Sequence, residues 1–525
     1  MSFSILLNDY TPFLILAIAA VYLAQLCRRR LAVHLTPYEP PLLKPTIPYI
    51  GHLIGIARKQ TSYLDKLNAK YPVPAFTLPI FNGKMYIINS PLLIQSALRS
   101  KNLSYDPFIQ DSSEKLFGLS NETMQILRAP GTPEKLDLMS EFNREMHGSM
   151  LGEHLQKMNQ VALADVAASI NGIVDRLEVK SLYLWIRSVM TIATTDSLLG
   201  SHNPLKTDPT LVDSLWDYEG GVTSLLMGTP RYFAPIGYEG RAAVQAALIK
   251  YYGAKHDSEP DVACITKMRA NVFRKYGITD EETAKLEIGF LHVAVSNAIP
   301  TCFWLLAFIA ASPTLLTSIR EELESITTIR ISGSEKGETN IDHAKFLTHC
   351  PLFVSTYRET IRLISSLVIF RRVMADTTIS DGKSSYLLKE GSDAAIAVGV
   401  SHMNPNNWGP NVAEFDPKRF LQPEKGEIGD DRVPKKAYFP FSGGKHLCPG
   451  MHFAFTEILG TTAALVLGFD IVGTDGNLLE VPKIGRSTMA EAVTKPEKEG
   501  LEMGARFTRR KGWEDIVWKF KAEHE

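Results

Sequence analysis

The chain has 525 residues, 45% apolar and 22% charged, a balance that supports a large buried core and excludes a disordered or collagen-like polymer. Its 56 Lys and Arg offset 57 Asp and Glu to a net charge of -1, so no global field argues for nucleic acid as a partner. No Gly/Ser-rich or proline-rich linker divides the chain after residue 52, which favours one large domain over several small ones.

Residues 10–27 form an uncharged run long enough, at about 1.5 Å per residue, to match a bilayer core. A cleaved signal peptide is the alternative, with Ala17-Ile18-Ala19 as its cleavage site. No Lys or Arg precedes the run and Arg28-Arg29-Arg30 follow it, which favours an uncleaved anchor whose carboxyl side stays in the cytosol. Residues 1–30 are therefore expected to be a single-pass membrane anchor in contact with lipid, placed in the endoplasmic reticulum. The sequons at Asn102 and Asn121 then face the cytosol and stay unmodified. Pro37, Pro40, Pro41, Pro45 and Pro48 make residues 31–52 a semi-rigid hinge, too rich in proline for helix or sheet. Residues 53–525 are read as the catalytic domain.

Two β-rich runs over residues 75–90 flank Asn82-Gly83, a strong hairpin signal. Residues 110–370 show mostly helical spacing, and the last third returns to short strands at 377–379, 394–400 and 469–472. The fold class is mainly α with small β-sheets, an α+β arrangement. The longest helix is bounded by a capping box at Thr279 and Glu282 and by Ser312-Pro313. Its second half is apolar on every face, the mark of a central helix, and Pro300 inside it cannot donate to the Ser296 carbonyl. A kink beside Ser296 and Asn297 is expected, with Ala294, Val295 and Ala298 facing a cavity. The loop over residues 104–121 and the residues near Leu367 are further candidate walls.

The five cysteines, Cys27, Cys264, Cys302, Cys350 and Cys448, are odd in number and include no C-x-x-C pair, so neither a disulfide framework nor a zinc ribbon is expected. Only Cys448 sits in a chemically suggestive setting, the run FPFSGGKHLCPG at residues 439–450 that leads into a helical segment. Glycines permit close backbone approach to a flat ligand, and N–H groups at a helix start favour a thiolate. A zinc site would recruit His446 and His452 but lacks a fourth ligand, whereas haem iron needs only one axial thiolate.

The pattern F-x-x-G-x-x-x-C-x-G, carried by Phe441, Gly444, Cys448 and Gly450, resembles the haem-binding signature of the cytochrome P450 family. Glu359-Thr360-Ile361-Arg362 matches the family's E-x-x-R, and residues 415–420 (FDPKRF) resemble the segment whose arginine, here Arg419, joins that pair as a structural ion triad. The resemblance, which runs from the proline-rich hinge to about Phe507, implies the P450 fold, haem b (iron protoporphyrin IX) with Cys448 as axial iron ligand, and a propionate contact at Arg371. His446 takes a position that is usually arginine and is expected to donate to a propionate. In the long helix most members carry an acid and a threonine where this chain has Ser296 and Asn297. The sequence over 297–304, with Ser365-Ser366, is similar to the branch of sterol and bile-acid 7α-hydroxylases and, more loosely, of prostacyclin synthase.

What the resemblance implies is a membrane-bound monooxygenase that uses O2 and electrons from an NADPH-cytochrome P450 reductase. Its substrate is a lipophilic small molecule, terpenoid or steroid-like, in secondary-metabolite biosynthesis. A haem-thiolate isomerase or dehydratase working without reductase, and a haem sensor or carrier, stay open. Arg432, Lys435, Lys436 and Lys445 form a basic group that would suit an acidic reductase.

Overall fold

A computed structural model of the chain describes residues 35–45, 51–80, 83–330, 337–421, 434–485 and 487–520, so the expected anchor over residues 10–27 lies outside the described residues. The chain divides into two compact units, one of Met1–Ser104 with Ile369–Ala397, the other of Tyr105–Val368 with Val398–Glu525.

The smaller unit contains helices α1 (Gly51–Lys59), α2 (Thr61–Lys70) and α3 (Pro91–Arg99). Its strands are β1 (Ala75–Ile80), β2 (Gly83–Ile88), β3 (Leu103–Ser104), β4 (Val368–Val373), β5 (Thr377–Ser380), β6 (Ser385–Leu388) and β7 (Asp393–Ala397). The expected hairpin forms, with Ile80 opposite Gly83 and Ala75 opposite Ile88. It opens a five-stranded sheet of order β1-β2-β7-β4-β3, in which β7 runs parallel to β2.

The proline-rich segment is fastened to the sheet: Leu42 bridges Thr77 in parallel, Thr77 N–H donates to Pro41 O at 2.8 Å, and Leu43 N–H to Thr77 O at 2.9 Å. Pro40 and Pro41 contribute their carbonyls, for which no N–H is required, and that is how a proline-containing segment lies along an edge. Buried Glu39 holds the segment further by accepting from Tyr86 Oη at 2.5 Å, Thr36 N–H at 2.8 Å and Lys84 Nζ. The strand expected over residues 394–400 ends at Ala397 and gives way to a helical turn, Val398–His402. Gly399 causes the change, since a Cβ there would lie 3.2 Å from the Ser365 carbonyl and its own carbonyl takes Met403 N–H at 2.9 Å.

The larger unit is mainly helical. Its principal helices are α4 (Asp106–Phe117), α5 (Leu182–Leu199), α6 (Thr210–Leu226), α7 (Pro235–Gly253), α8 (Asp280–Val295), α9 (Ala298–Ala310), α10 (Pro351–Ile364) and α11 (Met451–Gly468). Two three-stranded sheets accompany them, one joining 469–473, 505–509 and 176–179, the other 516–519, 337–341 and 327–330. Every residue of α9 is buried, as an all-apolar helix requires. Trp304 at its centre donates to Thr494 O at 2.8 Å, and Phe303 meets the Tyr183 ring edge-on at 5.5 Å. Glycine lets α6 and α7 cross closely: a Cβ on Gly221 would lie 2.5 Å from the Cα of Gly237.

The long helix begins as expected, with Thr279 Oγ1 accepting from Glu282 N–H at 3.3 Å. The capping box is one-sided, because the Glu282 carboxylate turns to Ser120 N–H at 2.9 Å and to Lys285 at 2.7 Å. Two residues, Ser296 and Asn297, interrupt the helix between α8 and α9, which places the break where Pro300 withholds its N–H. A correction falls on residues 104–121, expected as a loop. Twelve of them form α4, started by Pro107 in its first turn and stopped by Gly118 in the left-handed conformation at φ 66°.

Candidate functional site

Cys448 sits at the end of a loop that folds back on itself before α11. Gly444 at φ 64° and Ser442 at φ 63° turn the backbone through the left-handed region, and Cys448 N–H closes onto Phe441 O at 3.0 Å. The residue is exposed, whereas Cys302 and Cys350 are buried and burial pushes both thiols up to about 12. Cys27 lies outside the described residues.

The sequence reading expected the helix start to favour the thiolate. The Gly450 and Met451 N–H groups act in that direction, but desolvation by the surrounding loop outweighs them, and the Cys448 pKa is raised. Cys448 is exposed as a residue, while its sulfur is crowded enough by the loop for desolvation to dominate. A thiolate here needs a cation.

The residues fit haem better than zinc. A Cβ placed on Gly450 would make ordinary contact with the Cys448 sulfur and the Met150 methyl, at 4.0 Å each, so Gly450 lies against the sulfur's flank. Among the described residues no group of three potential metal ligands includes Cys448, and His452 is exposed. A single sulfur on an exposed residue, without a second metal ligand beside it, suits the one-thiolate ligation of haem iron.

Beneath the loop lies a buried ion cluster. Glu359 and Arg362 are both 0% exposed on α10, and the guanidinium grips the carboxylate with two bonds, Nε to Oε2 at 2.7 Å and Nη2 to Oε1 at 2.8 Å. Arg419 Nε donates to the same Oε1 at 3.0 Å, and Asp416 N–H at 3.1 Å. Arg419 also reaches the carbonyls of Trp408, Asn411 and Glu414, pinning the segment from 408 to 419.

His402, which sequence reasoning did not single out, joins this cluster to the Cys448 loop. Arg362 Nη1 donates to His402 O at 2.9 Å, and Phe439 N–H donates to His402 Nε2 at 3.1 Å. Burial, with the Arg362 charge beside it, pushes the imidazole down to about 3, so it is neutral and able to accept. The ring stacks on Tyr438 at 5.3 Å, and Trp408 lies under the Arg362 guanidinium at 5.3 Å.

The remaining site candidates fall as follows. Phe441 is half-buried and packs on the main core. His446 Nε2 accepts from Tyr105 N–H at 3.1 Å and Nδ1 lies 3.9 Å from Asp106 Oδ1, so the ring engages the start of α4. Lys445 pairs with the same Asp106 at 3.4 Å. Lys436 is exposed, Arg432 lies outside the described residues, and only the backbone of Lys435 is described. Arg371 is buried on β4 in the smaller unit and donates to Phe370 O at 2.8 Å. Ser296 is buried and Asn297 half-buried at the helix break. Thr301, also missed, donates its hydroxyl to Asn297 O at 2.7 Å alongside its own N–H at 3.3 Å. Its spacing four residues after Asn297 was the available signal.

Comparison with known proteins identifies the family. The cytochrome P450 family model matches residues 249–491. A cytochrome P450 monooxygenase of Gibberella zeae is 33% identical over 512 residues, covering 96% of both chains. Cytochrome P450 monooxygenase nodJ of Hypoxylon pulicicidum is 30% identical over 499 residues, 93% of each chain. The 7-alpha-hydroxycholest-4-en-3-one 12-alpha-hydroxylase of Homo sapiens is 24% identical over 482 residues, 87% of this chain and 91% of its own.

Proposed function

Given that the chain belongs to the cytochrome P450 family and is a monooxygenase, we propose that it hydroxylates or oxidises a lipophilic, terpenoid or steroid-like molecule, using O2 and electrons from an NADPH-cytochrome P450 reductase. The observation that carries this reading is the exposed Cys448, held by a loop that the buried Glu359 cluster and His402 fix in place. Cys448 would hold haem b through its sulfur, and the bound group would supply the activation of dioxygen.

The chain's own residues have distinct tasks. Gly444, in the left-handed conformation, turns the loop, and Phe441 packs it onto the core. Arg371 is assigned to a propionate. His446, whose Nε2 accepts from Tyr105 N–H and ties the loop to α4, carries its proton on Nδ1 and is assigned to donate it to a propionate. At the helix break, Asn297 has an amide that can hold a water but no titratable proton to deliver, and the Ser296 carbonyl is a second anchor for that water. Thr301 keeps the Asn297 carbonyl occupied, which fixes the backbone of the break.

Support for a lipophilic substrate comes from the apolar surroundings of the break, Val295 and Ala298, and from similarity to a relative whose name specifies a sterol. Membrane association, with residues 1–30 as anchor, 31–52 as hinge and 53–525 as the haem-thiolate domain, rests on the apolar run at 10–27. Met227, Tyr232, Phe233 and Ile236, all at least 63% exposed around the connection from α6 to α7, support it further. The cytosolic side of the endoplasmic reticulum is the proposed location. Exposed Lys436 and Lys445 are proposed to meet an acidic reductase face.

The test is turnover of the purified full chain with reductase and NADPH against a terpenoid and sterol panel under labelled dioxygen. Label in the product and loss of the red-shifted carbon monoxide band in Cys448→Ser are expected. Product formed without label and without NADPH would establish a rearranging enzyme instead, and a retained band would refute Cys448 as the ligand.

A further inference from the structure

We propose that His202, His256 and Glu259 form a binding site for a divalent transition metal of the Zn2+ type, on elements that carry no residue of the Cys448 site. His202 ends the short turn Gly200–His202 after α5, and His256 opens the turn His256–Ser258 after α7, with Glu259 next in the chain. Their ligand atoms lie within 4.8 Å of one another, the one such group of three among the described residues.

Bonds that do not involve the imidazoles set the frame. Tyr251 Oη donates to Leu199 O at 2.7 Å, which ties α7 to the end of α5. The Asp261 carboxylate accepts from Ser201 N–H at 2.7 Å, and both Ala263 N–H and Thr266 Oγ1 reach Leu198 O, at 3.2 and 2.9 Å. The two turns are thereby held side by side before any ion arrives, so little ordering cost falls on binding.

Within that frame the histidine rings lie nearly parallel, with centroids 3.7 Å apart and planes 13° apart. His256 Nδ1 is buried and has no hydrogen-bond partner. An imidazole nitrogen out of water and unpaired is costly, and a metal ion is one of the few groups that can serve it at this spacing.

Two imidazoles and one carboxylate form a nitrogen-rich set that suits Zn2+, Co2+, Ni2+ or Cu2+, whereas Ca2+ and Mg2+ require more oxygen. His202 and Glu259 are exposed, so the site exchanges with solvent and its remaining coordination positions take water. Occupancy would clip the end of α5 to the turn after α7 and stabilise the folded chain by mass action.

The experiment uses the haem-loaded full chain without a histidine tag, freed of metal with EDTA and titrated calorimetrically with ZnCl2. One ion per chain is expected, at micromolar affinity, with a higher melting temperature in Zn2+. His202→Ala and His256→Ala should each weaken binding about tenfold or more, and Glu259→Gln by less. MgCl2 and CaCl2 should neither bind nor raise the melting temperature. His202→Gln, at an exposed position, should show the same loss while keeping the parent's melting temperature in EDTA, which separates a lost ligand from a lost fold. Affinity weaker than about 1 mM in the parent, or binding undiminished in the His202→Ala/His256→Ala double variant, overturns the site.

Discussion

Asn297 is a residue whose chemistry is limited by what an amide can do. It orients water without supplying a proton, so Asn297→Leu is expected to bind substrate and consume NADPH while diverting electrons into peroxide. Asn297→Thr should stay coupled, because a hydroxyl can hold the same water. The ratio of product to NADPH consumed measures this, and a Leu variant as tightly coupled as the parent would refute the role. A second residue gives a pH-dependent outcome. Glu457 on α11 is buried against Thr194, which donates to Oε1 at 2.5 Å, while Oε2 has no partner. Desolvation pushes its carboxyl from 4.5 up to about 8. The folded state thus binds this proton more tightly than the unfolded state. Its stabilising share is complete below pH 4.5 and is lost as pH rises through about 8, at up to about 1.4 kcal/mol per pH unit. Glu457→Gln should therefore raise the melting temperature more at pH 8 than at pH 5, and a constant difference would mean that the carboxyl is not held neutral. The two kinds of site residue differ in legibility. Cys448 was readable because its glycines and following helix are adjacent to it. His402 was not, since both its partners, Arg362 and Phe439, stand about 40 positions away and no short spacing announces them.

At the scale of elements, the crossing of α6 and α7 depends on the absence of two side chains. Gly237→Val would place branched carbon where the Gly221 backbone now lies, 2.7 Å from the first added atom, and the helices must separate. A loss of about 1–3 kcal/mol is expected in chemical denaturation, and Gly253→Ala on the same helix, with nothing within 4 Å, should be near neutral. Equal effects would show that the crossing is loose. Element boundaries were legible where a local device marks them, as at Thr279 for α8 and at the hairpin of β1 and β2. They failed where tertiary packing decides, and Gly399 turning the chain against Ser365 is such a case. The helix α4 was read as a loop although its Pro107 start and Gly118 stop were both present, because its apolar positions are few and it has only one buried residue, Ser113.

The molecule as a whole has two candidate contacts with lipid, and they can be separated. Removal of residues 1–30 should leave the chain partly bound to phosphatidylcholine vesicles, because Tyr232, Phe233 and Ile236 still present apolar surface. Tyr232→Ser, Phe233→Ser and Ile236→Ser together should then release it in a sedimentation assay. Complete release by the truncation alone would leave the α6 to α7 connection without a membrane role. Two other helical stretches, Asp280–Ala310 and Met451–Gly468, are long and apolar enough to span a bilayer, but they are 83% and 78% buried inside the protein and serve as core. The pairing of Leu42 with Thr77 bears on where such a truncation can end. β1 is the outermost strand of its sheet, and Pro41 and Leu43 pair with the backbone of Thr77 on its free side while Pro40 O accepts from the Thr77 hydroxyl. A chain cut after Leu43 would expose a flat, apolar strand edge, the template on which separate molecules pair and aggregate. The prolines that keep this segment from becoming a full strand also keep it from recruiting another one, so it works as an edge guard that a solubilising deletion has to spare.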